Sequence, residues 1–227
     1  MHYQPTELQC LDGSVLAVRH AWCVGRNYAA HAREMGANPE AESPLFFSKP
    51  ASALVQQQQI EYPSNTQELH HEVELVVILG SGGRNVTPEQ ASDCIVGWAV
   101  GCDLTRRDVQ AAAKKAGHPW ALSKGFDQSG PVGQVVAAAS WQPLAEHTIR
   151  LQVNGELRQS ATLAEMIWNV PVLLSRLSQE VSLHAGDMLF SGTPAGVAAL
   201  GIGDRVQAEI DGLPSLDFQI IERRTAA

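Results

Sequence analysis

From Val73 to Leu79 the chain is almost wholly aliphatic and largely β-branched, the pattern of a strand buried on both faces. Glu72 and Glu74 interrupt its start. Side chains alternate along a strand, so the two carboxylates point to one side, roughly 6.5–7 Å apart. Upstream, residues 1–22 suit short strands with a turn at Asp12-Gly13, and residues 23–28 a strand end that breaks at Gly25. Residues 29–35 suit a short helix stopped by Gly36. Residues 38–43, rich in Pro, Glu and Ala, are expected to form a mobile loop, and residues 44–50 resume a strand closed by proline. The four glutamines 56–59 are expected in a loop without chemistry of their own.

Beyond the central strand, residues 80–85 are glycine-rich. No helix led by Lys-Ser or Lys-Thr follows, so a turn is expected there and not a phosphate cradle. Thr87, Pro88 and Gln90 form a capping-box helix start, with the helix expected to end near Gly97. Residues 98–103 alternate as a strand, with Ala99, Gly101 and Asp103 on one face. The small residues there are expected to leave space beside the aspartate. Residues 105–116 suit a second helix, capped by Thr105 and ended by Gly117. Asn154-Gly155, between segments 148–153 and 156–160, signals a hairpin. Thr162 and Glu165 open a helical stretch that Pro171 is expected to interrupt. Strands are expected at residues 187–191, 205–210 and 216–221. Strands and short helices mix without regular βαβ alternation, which gives an α+β class, and no linker divides residues 1–227 into more than one domain.

Composition narrows the partners more than the fold. Among 227 residues 44% are hydrophobic and 18% charged, an ordinary globular balance, and the net charge of −8 argues against a nucleic-acid surface. Small anionic substrates stay open, since a bound cation and a few arginines set the local field. Cys10, Cys23, Cys94 and Cys102 show no zinc-like spacing and no disulfide framework, so a reducing cytoplasmic setting is expected. Neither a signal pattern nor a membrane-length apolar run is present in the sequence, so no membrane partner is expected.

Two residue pairs carry candidate chemistry. Glu72 and Glu74, side by side at the mouth of an apolar strand, repel each other and lose solvation unless a positive charge lies between them. A hard divalent cation suits such oxygen ligands. An edge strand with both glutamates in water is the competing reading. His31 and Glu34, three residues apart, share one face of the short helix.

Six segments, in one order, resemble the fumarylacetoacetate hydrolase family, specifically its short single-domain branch of acylpyruvate and fumarylpyruvate hydrolases. They are Val24-Gly25-Arg26-Asn27-Tyr28-Ala29-Ala30-His31, His70-His71-Glu72-Val73-Glu74-Leu75, Asp103-Leu104-Thr105-Arg106-Arg107-Asp108-Val109-Gln110, Lys124-Gly125-Phe126-Asp127, Val153-Asn154-Gly155-Glu156 and Ser191-Gly192-Thr193-Pro194-Ala195-Gly196-Val197. The resemblance implies a mixed β-sandwich roll of several sheets with short flanking helices, usually a homodimer. It implies that Glu72, Glu74 and Asp103 hold Mg²⁺ or Mn²⁺, with Ca²⁺ also admissible, their three negative charges facing the ion. His31 is then a general base oriented by Glu34, on a helix that acts as a lid over bound substrate. Lys124 is expected near the reacting carbonyl, and Arg26, Arg107, Gln110 and Thr193 at substrate carboxylates. His70 and His71 are expected to pack rather than ligate, and Cys102, His118 and Trp120 to be structural.

The activity this implies is cleavage of a carbon–carbon bond in a small 2,4-diketo acid, an acylpyruvate or fumarylpyruvate, to pyruvate and a carboxylic acid. Oxaloacetate decarboxylation or enol isomerisation on the same metal site is the alternative. A catalytically silent binding protein would be expected to lack the dyad or the lysine. Two departures from the branch, Gly130 before Pro131 and Ala195 after Pro194, are expected near the pocket and bear on substrate identity.

Overall fold

The computed structural model describes residues 5–34, 36 and 43–223. At its centre the strand Val73–Leu79 is buried at all seven positions. Ile95–Cys102 and Asp187–Phe190 pair with it on either side, both antiparallel. The full sheet runs Val136–Ala137, Ile95–Cys102, Val73–Leu79, Asp187–Phe190, His20–Gly25 and Leu45–Lys49. Val73, Leu75, Val77 and Leu79 enter one core, while Val76 and Ile78 enter a second with Ala99, Met188 and Phe190. Each buried aliphatic side chain contributes about 1.5–3 kcal/mol, and that burial anchors the strand whose first residues are acidic. Glu72 and Glu74 share the parity of Val76 and Ile78, so they leave the sheet on its second face.

The first core is closed by a five-stranded sheet ordered Glu156–Thr162, Thr148–Val153, Arg205–Ile210, Leu216–Ile221 and Gln59–Glu61. Asn154 and Gly155 turn its hairpin with φ of 54° and 81°, the positive pair such a turn demands. Short helices flank the sheets: α1 Ala29–Glu34, α2 Pro88–Asp93, α3 Arg107–Ala116, α4 Ala121–Lys124 and α5 Val170–Glu180. This is the α+β roll of mixed sheets that the resemblance implied.

Several boundaries differ from the sequence expectation. The capping box at Thr87 and Gln90 forms, but α2 stops at Asp93 because Ile95 and Val96 already belong to the next strand. Thr105 does not cap α3. It pairs with His70 in a short strand and its hydroxyl donates to the carbonyl of Asp103, so the helix begins at Arg107. Pro171 lies in the first turn of α5, behind an Asn169 cap, where it starts a helix instead of interrupting one. The glutamine tract is not inert either, since Gln56 accepts from the Gln9 amide and donates to its carbonyl. The loop expected at residues 38–43 lies outside the described residues up to position 42.

Candidate active site

The acidic end of the central strand meets three other elements. Cys102 pairs with Val73, which brings Asp103 beside Glu72, and the Asp103 amide donates to the Glu72 carbonyl at 2.8 Å. Glu72, Glu74 and Asp103 each offer a carboxylate oxygen, all within 4.8 Å of one another, and all three residues are buried. The space expected beside Asp103 is not at Gly101, where Val76 and Phe190 already pack closely. The adjoining cleft is lined by Glu72 and Glu74 and not by Asp103.

Cations surround that cluster, two of them fully enclosed. Lys124, at the end of α4, places Nζ 2.8 Å from Glu72 and 2.6 Å from Asp103. Lys49 ends its strand with Nζ 2.8 Å from Asp103, and also donates to the Ser129 hydroxyl and the Lys124 carbonyl. Arg107 pairs with Glu72 through Nη2 and donates to Gln110 Oε1 at 2.7 Å. The three negative charges are therefore largely offset, which the sequence reading did not anticipate. Burial pushes Glu72 up, but Lys124 and Arg107 outweigh it and hold this carboxyl well below the usual range. Burial likewise opposes charge on Lys124, yet Asp103 and Glu72 raise it above its ordinary value.

Glu74 is the exception. Its Oε2 accepts from the Gly192 amide at 2.6 Å and it forms no ion pair among the described residues. Burial, then the charges of Asp103 and Glu72, push its carboxyl well above the usual range. A divalent cation among three converging hard oxygens relieves that repulsion, so the donor set fits Mg²⁺ or Mn²⁺.

The Gly192 amide is itself held in place. Gly192 has φ of 94°, and a Cβ there would come within 2.7 Å of Asn27. Buried Asn27 donates to the carbonyls of Ser191 and Trp168 and accepts from the Trp168 amide, fastening the Gly25–Asn27 turn to this loop.

On α1, His31 is buried, lines the same cleft as Glu72 and Glu74, and places Nδ1 3.0 Å from Glu34 Oε2. Arg26, Arg107, Gln110, Lys124 and Thr193 line it too, so the structure brings every sequence-chosen residue to one place except Asp103 and Glu34, which are not in its lining but contact the lining residues Lys124 and His31. The free volume within the cleft is about 30 Å³, on the order of one water molecule. Trp120, expected to be structural, is one of its walls, together with Phe47. Gly130 and Ala195 are not among its lining residues; a Cβ on Gly130 would meet Leu54 at 2.6 Å, which makes that glycine a packing requirement.

The sequence reading missed Lys49, Lys114 and Gln159. Gln159 is buried, accepts from the Val73 amide, and donates to Thr193 Oγ1 and the Pro194 carbonyl at 2.8 Å each. Its amide orientation is thereby fixed, so His71 Nδ1, 2.9 Å from the same Oε1, must be the donor. His70 receives Arg107 Nε at 3.4 Å, and burial together with Arg107 lowers it to about 4. Both histidines support the site from outside. No sequence signal marks Lys49 or Gln159; Lys114 follows Arg107 and Gln110 at helical spacing, which a stripe analysis of α3 would have found.

The chain is similar to known proteins in both sequence and fold. The fumarylacetoacetate (FAA) hydrolase C-terminal family matches residues 20–221. Oxaloacetate tautomerase YcgM of Escherichia coli is 43% identical over 192 residues, covering 84% of this chain and 87% of that protein. The mitochondrial oxaloacetate tautomerase FAHD1 of Arabidopsis thaliana is 41% identical over 203 residues, covering 89% and 90%. Fumarylpyruvate hydrolase of Pseudomonas aeruginosa, solved in complex with Mn²⁺ and pyruvate, matches with a TM-score of 0.95 at 41% identity over 98% of both chains.

Proposed function

The chain belongs to the fumarylacetoacetate hydrolase family, and from that premise we propose that it hydrolyses the carbon–carbon bond of a small 2,4-diketo acid, an acylpyruvate or fumarylpyruvate. The observation that carries this reading is the His31–Glu34 pair, 3.0 Å apart and opening on the cleft of Glu72 and Glu74. Glu72, Glu74 and Asp103 would hold a divalent cation, which supplies Lewis acidity at a substrate carbonyl. With Nδ1 engaged by Glu34, His31 Nε2 is the nitrogen that takes a proton from water as its oxygen adds to the acyl carbonyl. The bond between that carbonyl carbon and the pyruvate methylene then breaks. Its electron pair stays with the pyruvate portion, which receives the proton, and the acyl group leaves as a carboxylic acid. Lys124, held charged by Glu72 and Asp103, stabilises the negative charge that develops. Arg107, Gln110 and Thr193 receive a substrate carboxylate.

A second reading, interconversion of the keto and enol forms of oxaloacetate, is favoured by the identity to YcgM and FAHD1. It needs proton transfer but no attacking water. The test compares wild type and His31→Ala on acylpyruvates and oxaloacetate, with metal binding measured alongside. Hydrolysis is expected to lose ~10²–10⁴-fold in kcat while metal affinity holds. A His31→Ala enzyme within a few-fold of wild type would remove the dyad from the mechanism. An oxaloacetate tautomerisation kcat/KM above that of every acylpyruvate would overturn the hydrolase assignment.

A further inference from the structure

Two lysines mark the ends of an aromatic wall in the cleft. Lys124 Nζ lies 5.0 Å from the Phe47 ring centroid, Phe47 meets Trp120 edge-on at 5.8 Å, and Lys114 Nζ lies 5.1 Å from the Trp120 centroid. The inner lysine is occupied by Glu72 and Asp103. Lys114 is half-buried, lines the cleft, and forms no ion pair with a carboxylate among the described residues. Its ammonium rests on the face of Trp120.

The setting is unfavourable for a cation that serves no ligand. Burial lowers the ammonium below its ordinary value, and the neighbouring charges of Arg107 and Arg26 lower it further. Arg107, Gln110 and Lys114 stand at i, i+3 and i+7 on α3, one stripe of the helix. At 1.5 Å per residue, Lys114 stands roughly 10 Å further along the axis than Arg107. That sets two cations about two helical turns apart in a cleft whose lining includes Phe47 and Trp120, an arrangement that fits an acid with two carboxylates and a flat spacer between them.

We propose that Lys114 is a specificity residue that receives the distal carboxylate of a dicarboxylic 2,4-diketo acid, so that the preferred acyl group is itself an acid and not a neutral chain. This rests on the diketo-acid reading above and names its substrate class. The unsaturated spacer lies along Phe47 and Trp120, whose faces favour a flat conjugated chain. The proximal carboxylate stays with Arg107, Gln110 and Thr193.

The experiment compares fumarylpyruvate with crotonylpyruvate, which differ only by a methyl group in place of the distal carboxylate. Wild type, Lys114→Met and Lys114→Arg are assayed with Mn²⁺ on both. A charge-assisted contact is worth about 10- to 100-fold, and that loss is expected in KM for fumarylpyruvate in Lys114→Met, with kcat nearly unchanged. Crotonylpyruvate should be unaffected, and Lys114→Arg should retain most of the preference. Equal losses on both substrates, or none on either, overturn the proposal. Binding of fumarate and of crotonate, followed by tryptophan fluorescence, separates this from the reaction itself. If neither diketo acid is cleaved but Lys114→Met weakens fumarate at least ~10-fold and spares crotonate, the subsite stands and the hydrolase reading falls. Equal binding of fumarate by wild type and Lys114→Met removes the subsite whatever the turnover.

Discussion

Two groups of ion pairs in this protein use the same chemistry in opposite surroundings. On the five-stranded sheet, Arg150 reaches Glu209 and Asp211 at 2.8 Å each, and its side chain is 38% exposed. At the end of the central strand, Lys49 and Lys124 hold Asp103 with side-chain exposures of 0%, 3% and 0%. Arg150 faces Glu209 across an antiparallel pair whose other face supplies the core, so its charges sit where solvent screens them. Charges at the Asp103 cluster have lost that solvent, and each depends on its neighbours for compensation. The lesson is that a carboxylate beside a lysine says little until its burial is known.

Breaking the buried group should give the largest change. Lys49→Met keeps the side chain's length but leaves Asp103 with Lys124 alone. Denaturant unfolding is expected to show a loss of about 3–5 kcal/mol. A loss no larger than that of an exposed pair would put the two groups on the same footing.

The next largest effect sharpens the comparison by adding a charge that only the buried group can take. Saturating Mn²⁺ at ~100 times its Kd should stabilise by about 2.7 kcal/mol, or roughly 5–10 °C in Tm for a chain of this size. Glu74 sets the pH dependence. Its folded carboxyl is raised, chiefly by burial, so without cation the folded state holds a proton that the unfolded state has released. That contribution favours folding below the ordinary carboxylate range and is lost as pH rises. Cation and proton compete for the same oxygens, so the metal-induced rise in Tm should grow with pH. Glu74→Gln should melt higher than wild type in chelator at alkaline pH and show no metal shift. A metal shift that is flat with pH, or retained in Glu74→Gln, would take Glu74 out of the ion's coordination.

The smallest effect belongs to the exposed group. Arg150→Ala is expected to cost about 0–1 kcal/mol, and less at ~1 M salt, where charges are screened within about 3 Å. A larger, salt-independent loss would show that the outer face of this sheet is covered.

What the sequence revealed follows the same division. The central strand was legible to the residue, since Val73–Leu79 has one period and one composition, and the shared side of Glu72 and Glu74 follows from parity alone. Local signals elsewhere held when nothing distant competed, as at Thr87 and Asn154. They failed where pairing partners lay far away. Thr105 looks like a cap until His70 claims it for a strand, and the α2 pattern runs on until Ile95 pairs with Leu79. Lys49 was invisible because its hydroxyl partner Ser129 is 80 residues distant, and nothing in Ser48-Lys49-Pro50 distinguishes a buried lysine from a solvated one. Helical spacing paired His31 with Glu34, while the family resemblance supplied their roles and Lys124, whose convergence with that pair no spacing rule predicts.

Asn27 gives the site a place in time as well as in space. Its amide joins Trp168 and Ser191, 141 and 164 residues further along the chain, and through them fixes the Gly192 amide on Glu74. Contacts of such range carry a large loop-closure entropy and form late. A refolding chain can therefore complete the hairpin at Asn154 and much of the central strand before the acidic cluster acquires its final geometry. In stopped-flow refolding, the onset of tight Mn²⁺ binding should accordingly trail the gain of secondary structure, which makes the cation a clock for the closing step of folding.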